Sequence, residues 1–254
     1  MTASVSRRRL LAAAAAAPLG LGAIPAAFAA DRLRIGVVPG AYADSVSVAA
    51  KEARAQRLQV EVIEFTDWTT PNVAKNGFKL ASAGTSFLAN IGLYSLKHKS
   101  VADVPVGGKV ALANDPVNQG RGLLLLQKAG LVRLKPDVGF LGTLDDIVQN
   151  PKKLRFVEVE GPQLVRITPD VDIAQGYPHF IVAAKAFDPS SGLAYSGIED
   201  AQFAIQFVVR QGRVDDPVVQ RFIRLYQNSP AVKSETRRAF ANDDRLYSLA
   251  WTRS

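Results

Sequence analysis

The sequence predicts an α/β fold, because short apolar strands alternate with helices of mixed polarity along the chain. Leu33–Val38 is an apolar run that predicts a buried strand, and residues 44–57 have the polar and apolar mix of a helix. Residues 59–65 (QVEVIEF) alternate in polarity and predict a half-buried strand. These three elements form a βαβ unit, in which the two strands pair in parallel. Periodicity alone does not distinguish one doubly wound domain from two lobes.

The alternation continues to the end of the chain. The helix predicted at 116–128 has the clearest ends, because Asp115 suits the N-cap, Pro116 suits the first turn and Gly130 suits the C-terminal end. Trp251 is expected to pack back onto the fold. The remaining predictions are strands at 87–94, 110–113, 154–159 and 204–209, and helices at 143–148, 177–187, 217–228 and 231–241.

The N-terminal residues differ from the rest and predict a twin-arginine-like signal peptide at 1–29. Ser6 to Leu11 (SRRRLL) is a basic start, an alanine-rich apolar stretch follows, and Ala27-Phe28-Ala29 is a small-x-small exit. The alternative is a retained membrane anchor, since about 20 apolar residues can span a bilayer. Alanine and glycine make this stretch weakly hydrophobic, so we expect export with cleavage.

The composition excludes several classes of protein. The chain has no cysteine, and its two histidines, His98 and His179, are far apart, so neither a thiolate site nor a zinc site is expected. The net charge of +8 includes three arginines of the predicted signal. No long basic run or basic-aromatic stripe follows, so we expect no nucleic-acid partner.

The segment Ala113 to Leu126 (ANDPVNQGRGLLLL) is the best candidate for a binding site. A strand ends there and leads directly into a helix, whose first N–H groups and dipole favour an anion. Asn114 and Asn118 can both donate and accept hydrogen bonds. Arg121 can reach back towards the helix N-terminus and hold a carboxylate with two hydrogen bonds. The alternative is a capped helix that carries one surface arginine.

This segment resembles the methionine-binding (MetQ/NlpA-type) family of solute receptors. Residues 114–121 match the family motif N-D-P-T-N-x-x-R at every polar position, and the match continues through residues 124–131. Further similarities, at residues 158–164 and at Trp251 among others, extend the resemblance over nearly the whole chain after the signal.

The resemblance implies a type II periplasmic binding protein fold, with two α/β lobes joined by a two-stranded hinge. Lobe I would comprise residues 30–95 and 198–254, and lobe II residues 96–197. The implied function is that of a solute-binding component of an ABC importer, which closes on methionine or a related amino acid. Its implied partners are this ligand and a membrane permease. We expect a monomer with no cofactor, no metal and no catalytic residue.

The resemblance also assigns roles to site residues. Arg121 would bind the ligand carboxylate, and Asn118 or Asn114 would hold its polar end. Trp68, where the family commonly has tyrosine, could form an aromatic wall, or it could be a core tryptophan. His179 could occupy the position of a ligand-binding asparagine, although a structural or surface histidine is the simpler interpretation.

Two departures from the family bear on ligand and location. A segment that supplies an aromatic wall and a polar contact is missing after Asn72, so the half of the pocket that holds the ligand side chain should be rebuilt or lost. The family's lipid-bearing cysteine is absent as well. We therefore expect a periplasmic protein that is soluble after signal cleavage and has no lipid anchor.

Three other functions are weighed against the methionine receptor. The chain could bind another small carboxylate or a short peptide, or it could be a degenerate member that has lost ligand binding; a buried Arg121 facing a cavity would argue against the degenerate member. An enzyme has little support. The neighbouring pairs Asp145-Asp146 and Asp215-Asp216 do not face each other in a helix.

Overall fold

The structure is a computed structural model that describes residues 32–65 and 79–252, so the predicted signal peptide at 1–29 lies outside it. No helix within these ranges has the length and apolar character that a membrane span requires. The helices are α1 (Ala41–Ala55), α2 (Pro116–Lys128), α3 (Leu164–Ile167), α4 (Pro178–Ala184), α5 (Pro217–Asn228) and α6 (Pro230–Ala239).

The strands fall into one large sheet and several pairs. In chain order they are β1 (Arg32–Val37), β2 (Gln59–Glu64), β3 (Leu80–Thr85), β4 (Leu88–Ala89), β5 (Gly92–Tyr94), β6 (Lys109–Ala113), β7 (Arg133–Leu134), β8 (Ile147–Gln149), β9 (Arg155–Val159), β10 (Ile173–Gly176), β11 (Ala194–Tyr195), β12 (Gln206–Arg210) and β13 (Tyr247–Ser248).

The large sheet has the strand order β11-β5-β10-β6-β9, and with the elements packed on it forms the lobe that we call lobe II; its strand β5 (Gly92–Tyr94) begins before residue 96, the predicted start of that lobe. The strand β6 pairs in parallel with both β9 and β10, and β5 pairs antiparallel with β10 and β11. The helix α2 packs on this sheet, and its Leu123 and Leu126 are fully buried with Leu112 and Ile173 of the strands. The burial of this cluster on folding stabilises lobe II.

Among the residues that the structure describes, lobe I consists of strand pairs, and no ladder joins these pairs into one sheet. The strands β1 and β2 pair in parallel from Arg32–Gln59 to Val37–Glu64, as the predicted βαβ unit requires. The strand β12 pairs antiparallel with β3, and β13 with β4. A second core, separate from that of lobe II, joins α1 to α5 and α6 through Ala49, Phe222 and Val232.

The two lobes are connected through β5 and β11, which lie side by side and antiparallel. The amide of Leu193 donates to the carbonyl of Leu93 (2.7 Å) and that of Ser196 to the carbonyl of Ile91 (2.9 Å). The hydroxyl of Ser196 in turn accepts from the Ile91 amide (3.0 Å). This pair is the two-stranded hinge of the fold.

The best-predicted helices are those whose sequence carries a cap followed by proline. Both α2 and α5 have the predicted ends. The Asp115 carboxylate accepts from the Asn118 amide (3.0 Å), and the Asp216 carboxylate from the Val218 amide (2.9 Å). The prediction for Trp251 is also confirmed, since its ring lies 5.7 Å from that of Tyr226.

The structure differs from the prediction where pairing between distant segments outweighs local signals. The prediction of a capped helix at 143–148 is wrong. The cap at Thr143 is present, but only one 3-10 turn follows it before β8 begins, and β8 pairs with β7. The helix predicted to reach residue 187 ends at Ala184, because Lys185 takes a left-handed conformation (φ 50°). Residues 87–94 form two short strands rather than one.

Gly120 lets a backbone turn lie directly against α2. A Cβ at this position would lie 1.9 Å from the carbonyl oxygen of Phe140. We expect Gly120→Ala to lower the free energy of unfolding by about 1–3 kcal/mol. The added methyl group would push the backbone at Phe140 away from α2, and the cost of this displacement exceeds the gain of about 1 kcal/mol that alanine brings in helix propensity. Urea denaturation would measure this loss. Gly212→Ala is the control, since a Cβ there meets no atom within 4 Å, and equal stability of both variants would contradict the close approach.

Candidate functional site

A cavity of about 270 Å³ lies between the lobes. Lobe II contributes the N-terminal half of α2 with Val117, Asn118 and Arg121, the turn at Phe140 and the start of α4. Lobe I contributes the first turn of α1, Ala89 and the segment that leads into β12. The lining residues are Tyr42, Ala89, Val117, Asn118, Arg121, Phe140, Tyr177, His179, Gln202, Phe203, Ala204 and Ile205.

Among the described residues that line the cavity, Arg121 alone carries a formal charge, and it is buried. Its Nη2 donates to the carbonyl of Ala89 (3.0 Å), and its guanidinium lies 4.8 Å from the centre of the Phe203 ring. Its Nε has no hydrogen-bond partner, and no carboxylate among the described residues forms an ion pair with it. Burial lowers the pKa of Arg121, although an arginine stays charged at neutral pH.

The first turn of α2 is held in place by bonds within lobe II. Both carboxylate oxygens of Asp115 accept from Nδ2 of Asn118 (3.1 Å), which orients the Asn118 side chain beside the cavity. Gln175 accepts from the Ala113 amide (3.0 Å) and donates to the Asn118 carbonyl (3.0 Å). Gly122 allows this approach, because a Cβ there would lie 2.6 Å from the Gln175 oxygen.

His179 follows Pro178 at the start of α4 and is enclosed by aromatic rings. Its ring centre lies 4.3 Å from that of Phe180, 5.7 Å from Phe240 and 6.0 Å from Tyr42. Burial, with the nearby Arg121 as a second cause, lowers the pKa of His179 from 6.5 to about 4. The ring is therefore neutral at pH 7, and its buried Nδ1 has no hydrogen-bond partner in the described part of the chain.

Two tyrosines complete the polar part of the lining. Burial raises the pKa of both Tyr42 and Tyr177, so both remain neutral phenols at neutral pH. Tyr42 stacks on Phe87 with the ring centres 4.5 Å apart and the planes nearly parallel. Such stacking fixes the position of the Tyr42 ring at the cavity wall.

The structure brings together three of the five residues singled out from the sequence. Arg121, Asn118 and His179 line the cavity. Asn114 is exposed at the end of β6, outside the lining, and its amide donates to the Val159 carbonyl (2.9 Å). Trp68 lies outside the described residues.

Sequence reasoning missed most of the aromatic lining. Tyr42 could have been found, because it follows the turn after β1, where α/β folds place ligand contacts at the carboxyl end of a strand. Phe140, Tyr177 and Phe203 carried no comparable signal, since they come from three separate segments.

The arrangement suits a small ligand that carries one carboxylate and an apolar body. A buried cation, neutral polar atoms and aromatic walls can bind such a molecule, but they supply no nucleophile paired with a base. Among residues 32–65 and 79–252, no group of three or more His, Asp or Glu side chains is placed to hold a metal ion.

Comparisons with known proteins agree with this geometry. The family model of the NlpA lipoproteins matches residues 74–246. The probable D-methionine-binding lipoprotein MetQ of Vibrio cholerae is 35% identical over 76% of this chain and 80% of its own length.

Solved structures give the same family of folds. A periplasmic substrate-binding protein of an ABC transporter from Coxiella burnetii superposes with a TM-score of 0.74 and 30% identity, over 83% of this chain and 97% of its own. A nutrient-binding protein from Burkholderia cenocepacia, solved with methionine bound, superposes with a TM-score of 0.71 and 33% identity, over 83% of this chain and 97% of its own. The two lobes and their hinge are therefore those of the periplasmic substrate-binding proteins.

These relatives correct one expectation. The prediction of a protein that is soluble after signal cleavage and has no lipid anchor is wrong, because the matching family and the Vibrio cholerae relative are lipoproteins by name. The absence of cysteine from the sequence was its only basis. The family match covers most of the chain, including every described element from β3 to α6. The chain belongs to the NlpA lipoprotein family.

Proposed function

We propose that this chain is the solute-binding component of an ABC importer and that its cleft binds methionine or a related α-amino acid. The observation that carries the proposal is Arg121, a buried cation that faces the cavity between the lobes without a carboxylate partner among the described residues. The name of the Vibrio cholerae relative and the methionine bound in the Burkholderia cenocepacia structure support this ligand class.

A ligand carboxylate would satisfy the guanidinium. Burying an unpaired charge is costly, and Arg121 has one hydrogen bond to Ala89 and one aromatic contact as partial compensation. A carboxylate can accept two parallel hydrogen bonds from a guanidinium, which fixes its orientation as well as its position. The ligand carboxylate would thus supply the hydrogen-bond acceptors that the Arg121 guanidinium lacks in the ligand-free protein.

The neutral polar atoms of the cleft suit the other end of an amino acid. At neutral pH the unpartnered Nδ1 of His179 can accept a hydrogen bond from the ligand's ammonium group, since burial keeps the ring neutral. Asn118 offers a side-chain oxygen at the same cavity. Val117, Phe140 and Phe203 form apolar walls, and a flexible thioether makes favourable contacts with such aromatic rings.

Closure of the lobes would complete the site. We propose that lobe I comprises residues 30–95 and 198–254 and that lobe II comprises residues 96–197. The two separate cores and the antiparallel pair β5–β11 support a division into two lobes that meet at β5, where Ile91 and Leu93 already pack in the core of lobe II. Rotation about that pair would close both lobes on the ligand and present one shape to a membrane permease. Such a receptor works as a monomer and needs no catalytic group.

Another small carboxylate is the second candidate ligand. Arg121 and Asn118, which belong to the matched motif, would bind the carboxylate of any such ligand. Apart from Val117, the side-chain walls come from segments outside that motif. A degenerate member without ligand binding is disfavoured, because Arg121 is buried at a cavity rather than turned to solvent.

Arg121→Met should weaken ligand binding by about 30-fold or more without destabilising the ligand-free protein. Loss of one partner of a buried charge pair costs about 2 kcal/mol or more, which is a fall in affinity of about 30-fold or more. In the ligand-free state the substitution removes an uncompensated buried charge, so thermal stability should not fall. Calorimetric titration of the refolded protein with L- and D-methionine would measure the affinity.

Arg166→Met provides the matched control, because Arg166 is exposed on α3. This variant should bind like the wild type. Unchanged affinity in Arg121→Met would show that the carboxylate lies elsewhere.

The buried His179 should make the ligand-free protein sensitive to acid. Between pH 6.5 and about 4 the unfolded chain binds a proton at this residue and the folded protein does not, so stability is lost as pH falls through this window. Each pH unit is worth about 1.4 kcal/mol. Between pH 6.5 and 5 the wild type should therefore lose about 2 kcal/mol more than His179→Leu.

Urea denaturation at both pH values would test this difference. His179→Phe should behave like His179→Leu, since the two side chains differ in shape but neither titrates. Equal acid sensitivity of the wild type and both variants would show that His179 takes up its proton in the folded state.

A further inference from the structure

The end of lobe I that lies farthest from the ligand cavity carries a group of cations. The helix α1 begins at the cavity wall, where Tyr42 lies, and its other end is about 20 Å away, because a helix rises about 1.5 Å per residue. Arg54 lies in its last turn and Arg57 in the link to β2, and both are exposed. The strand β1 starts beside this link, since Arg32 pairs with Gln59.

Two further segments bring cations to the same end. In α5, Nη2 of Arg221 donates to the carbonyl of Gln56, the residue that follows α1 (2.7 Å). The strand β12 begins next to Ile205, which lines the ligand cavity, and runs away from it. Its far end meets Lys79, whose carbonyl accepts from the Gln211 amide (2.8 Å). We define the basic pole as Arg32, Arg54, Arg57, Lys79 and Arg221.

Most of the basic pole is not neutralised by carboxylates. The acids at this end are Glu61, which pairs with Arg32 (2.7 Å), Asp216, which pairs with Arg213 (2.6 Å), and the exposed Asp215. The other four members of the basic pole are exposed and form no ion pair with any residue that the structure describes. Cations held close together repel each other, so their excess favours an anionic partner.

Stabilisation of the end of α1 accounts for only two of these cations. Nη1 of Arg54 donates to the Val60 carbonyl (2.7 Å), Arg221 bonds as described above, and cations near a helix C-terminus also favour its dipole. The side chain of Arg57 makes no hydrogen bond within the described part of the chain. Its backbone is left-handed (φ 62°), a conformation that glycine adopts without steric cost. An arginine at a position that suits glycine points to a use for its charge.

We propose that the basic pole binds the anionic headgroups of a phospholipid surface. A guanidinium group can donate two parallel hydrogen bonds to the oxygens of a phosphate, and all members of the basic pole except Lys79 are arginines. Each cation near an anionic membrane adds to the attraction. Because the basic pole and the ligand cavity lie at opposite ends of α1, headgroup binding leaves the cavity accessible to its ligand.

The path of the chain favours a lipid surface over a soluble anionic partner. The N-terminal part of the chain joins β1 at Arg32, which belongs to the basic pole. This part includes the signal predicted at 1–29, and such a segment directs a chain to a membrane. A basic surface is also the kind of second contact that makes weak membrane attachment stable. The end of the fold that bears the cations is therefore the end that is joined to a membrane-directed segment.

Co-sedimentation of the full chain with lipid vesicles would test the proposal. Vesicles of phosphatidylcholine with an equal amount of phosphatidylglycerol should bind the wild type more tightly than vesicles of phosphatidylcholine alone. Added salt should reduce this preference, because it screens exposed charges. All variants share residues 1–31, so a difference in binding between variants comes from the fold itself.

Arg57→Gly removes one charge and suits the left-handed backbone, so it should not lower the thermal stability. It should weaken binding to the anionic vesicles by about fivefold, the expected contribution of one cation near a membrane surface. Arg221→Gln should weaken binding to a similar extent, and the double variant by about 25-fold. Lys153→Gly is the matched control, because Lys153 is exposed and left-handed as well (φ 49°) but precedes β9 in lobe II. It should leave vesicle binding unchanged.

Three results would overturn the proposal. Equal binding to neutral and anionic vesicles would show that headgroup charge is not recognised. Unchanged vesicle binding in both Arg57→Gly and Arg221→Gln would show that the contact lies elsewhere, and an equal loss in Lys153→Gly would assign it to the net charge of the chain. Methionine affinity should be the same in all these variants, so failure of methionine to bind would contradict the proposed function without affecting this inference.

Discussion

The arrangement of the cleft depends on one buried cation. A guanidinium removed from water must find partners, and Arg121 finds the Ala89 carbonyl and the Phe203 ring, both contributed by lobe I, although it is carried by α2 of lobe II. The same residue therefore links the lobes and leaves room for an anion. Its field also acts on the neighbouring groups: together with burial it keeps His179 neutral, and it opposes the burial that raises the pKa values of Tyr42 and Tyr177.

The sequence allowed the fold to be predicted wherever local chemistry decides the conformation. The ends of α2 and α5 were predictable, because an aspartate followed by proline satisfies free N–H groups and fixes the first turn without help from distant residues. The 3-10 turn after Thr143 shows the limit of such signals. Its cap is present, but β8 follows at once, because pairing with β7 satisfies the backbone better than another helical turn. The strand β3 was missed as well, since its sequence (LASAGT) has small side chains and a weak alternation.

The candidate site shows the same contrast between residues placed by local chemistry and residues placed by distant segments. Arg121 and Asn118 could be identified, since they lie in one continuous motif in which the α2 N-terminus, its cap and the arginine are close in sequence. His179 was singled out from a resemblance alone, and its neutral state depends on rings from α1, α4 and the segment after α6, which no local pattern places together.

The two halves of the cleft differ in how they are held, and this difference bears on how ligand choice can change. The anchoring half is fixed within lobe II, where Asp115 and Gln175 bond to the first turn of α2. Both lobes contribute to the apolar wall, and its lobe I side chains, including Tyr42, Phe203 and Ile205, come from separate segments. Substitution of the lobe I side chains can therefore reshape the wall while the first turn of α2 keeps its bonds within lobe II. A receptor built in this way can retain its recognition of α-carboxylates while the size of the accepted ligand varies.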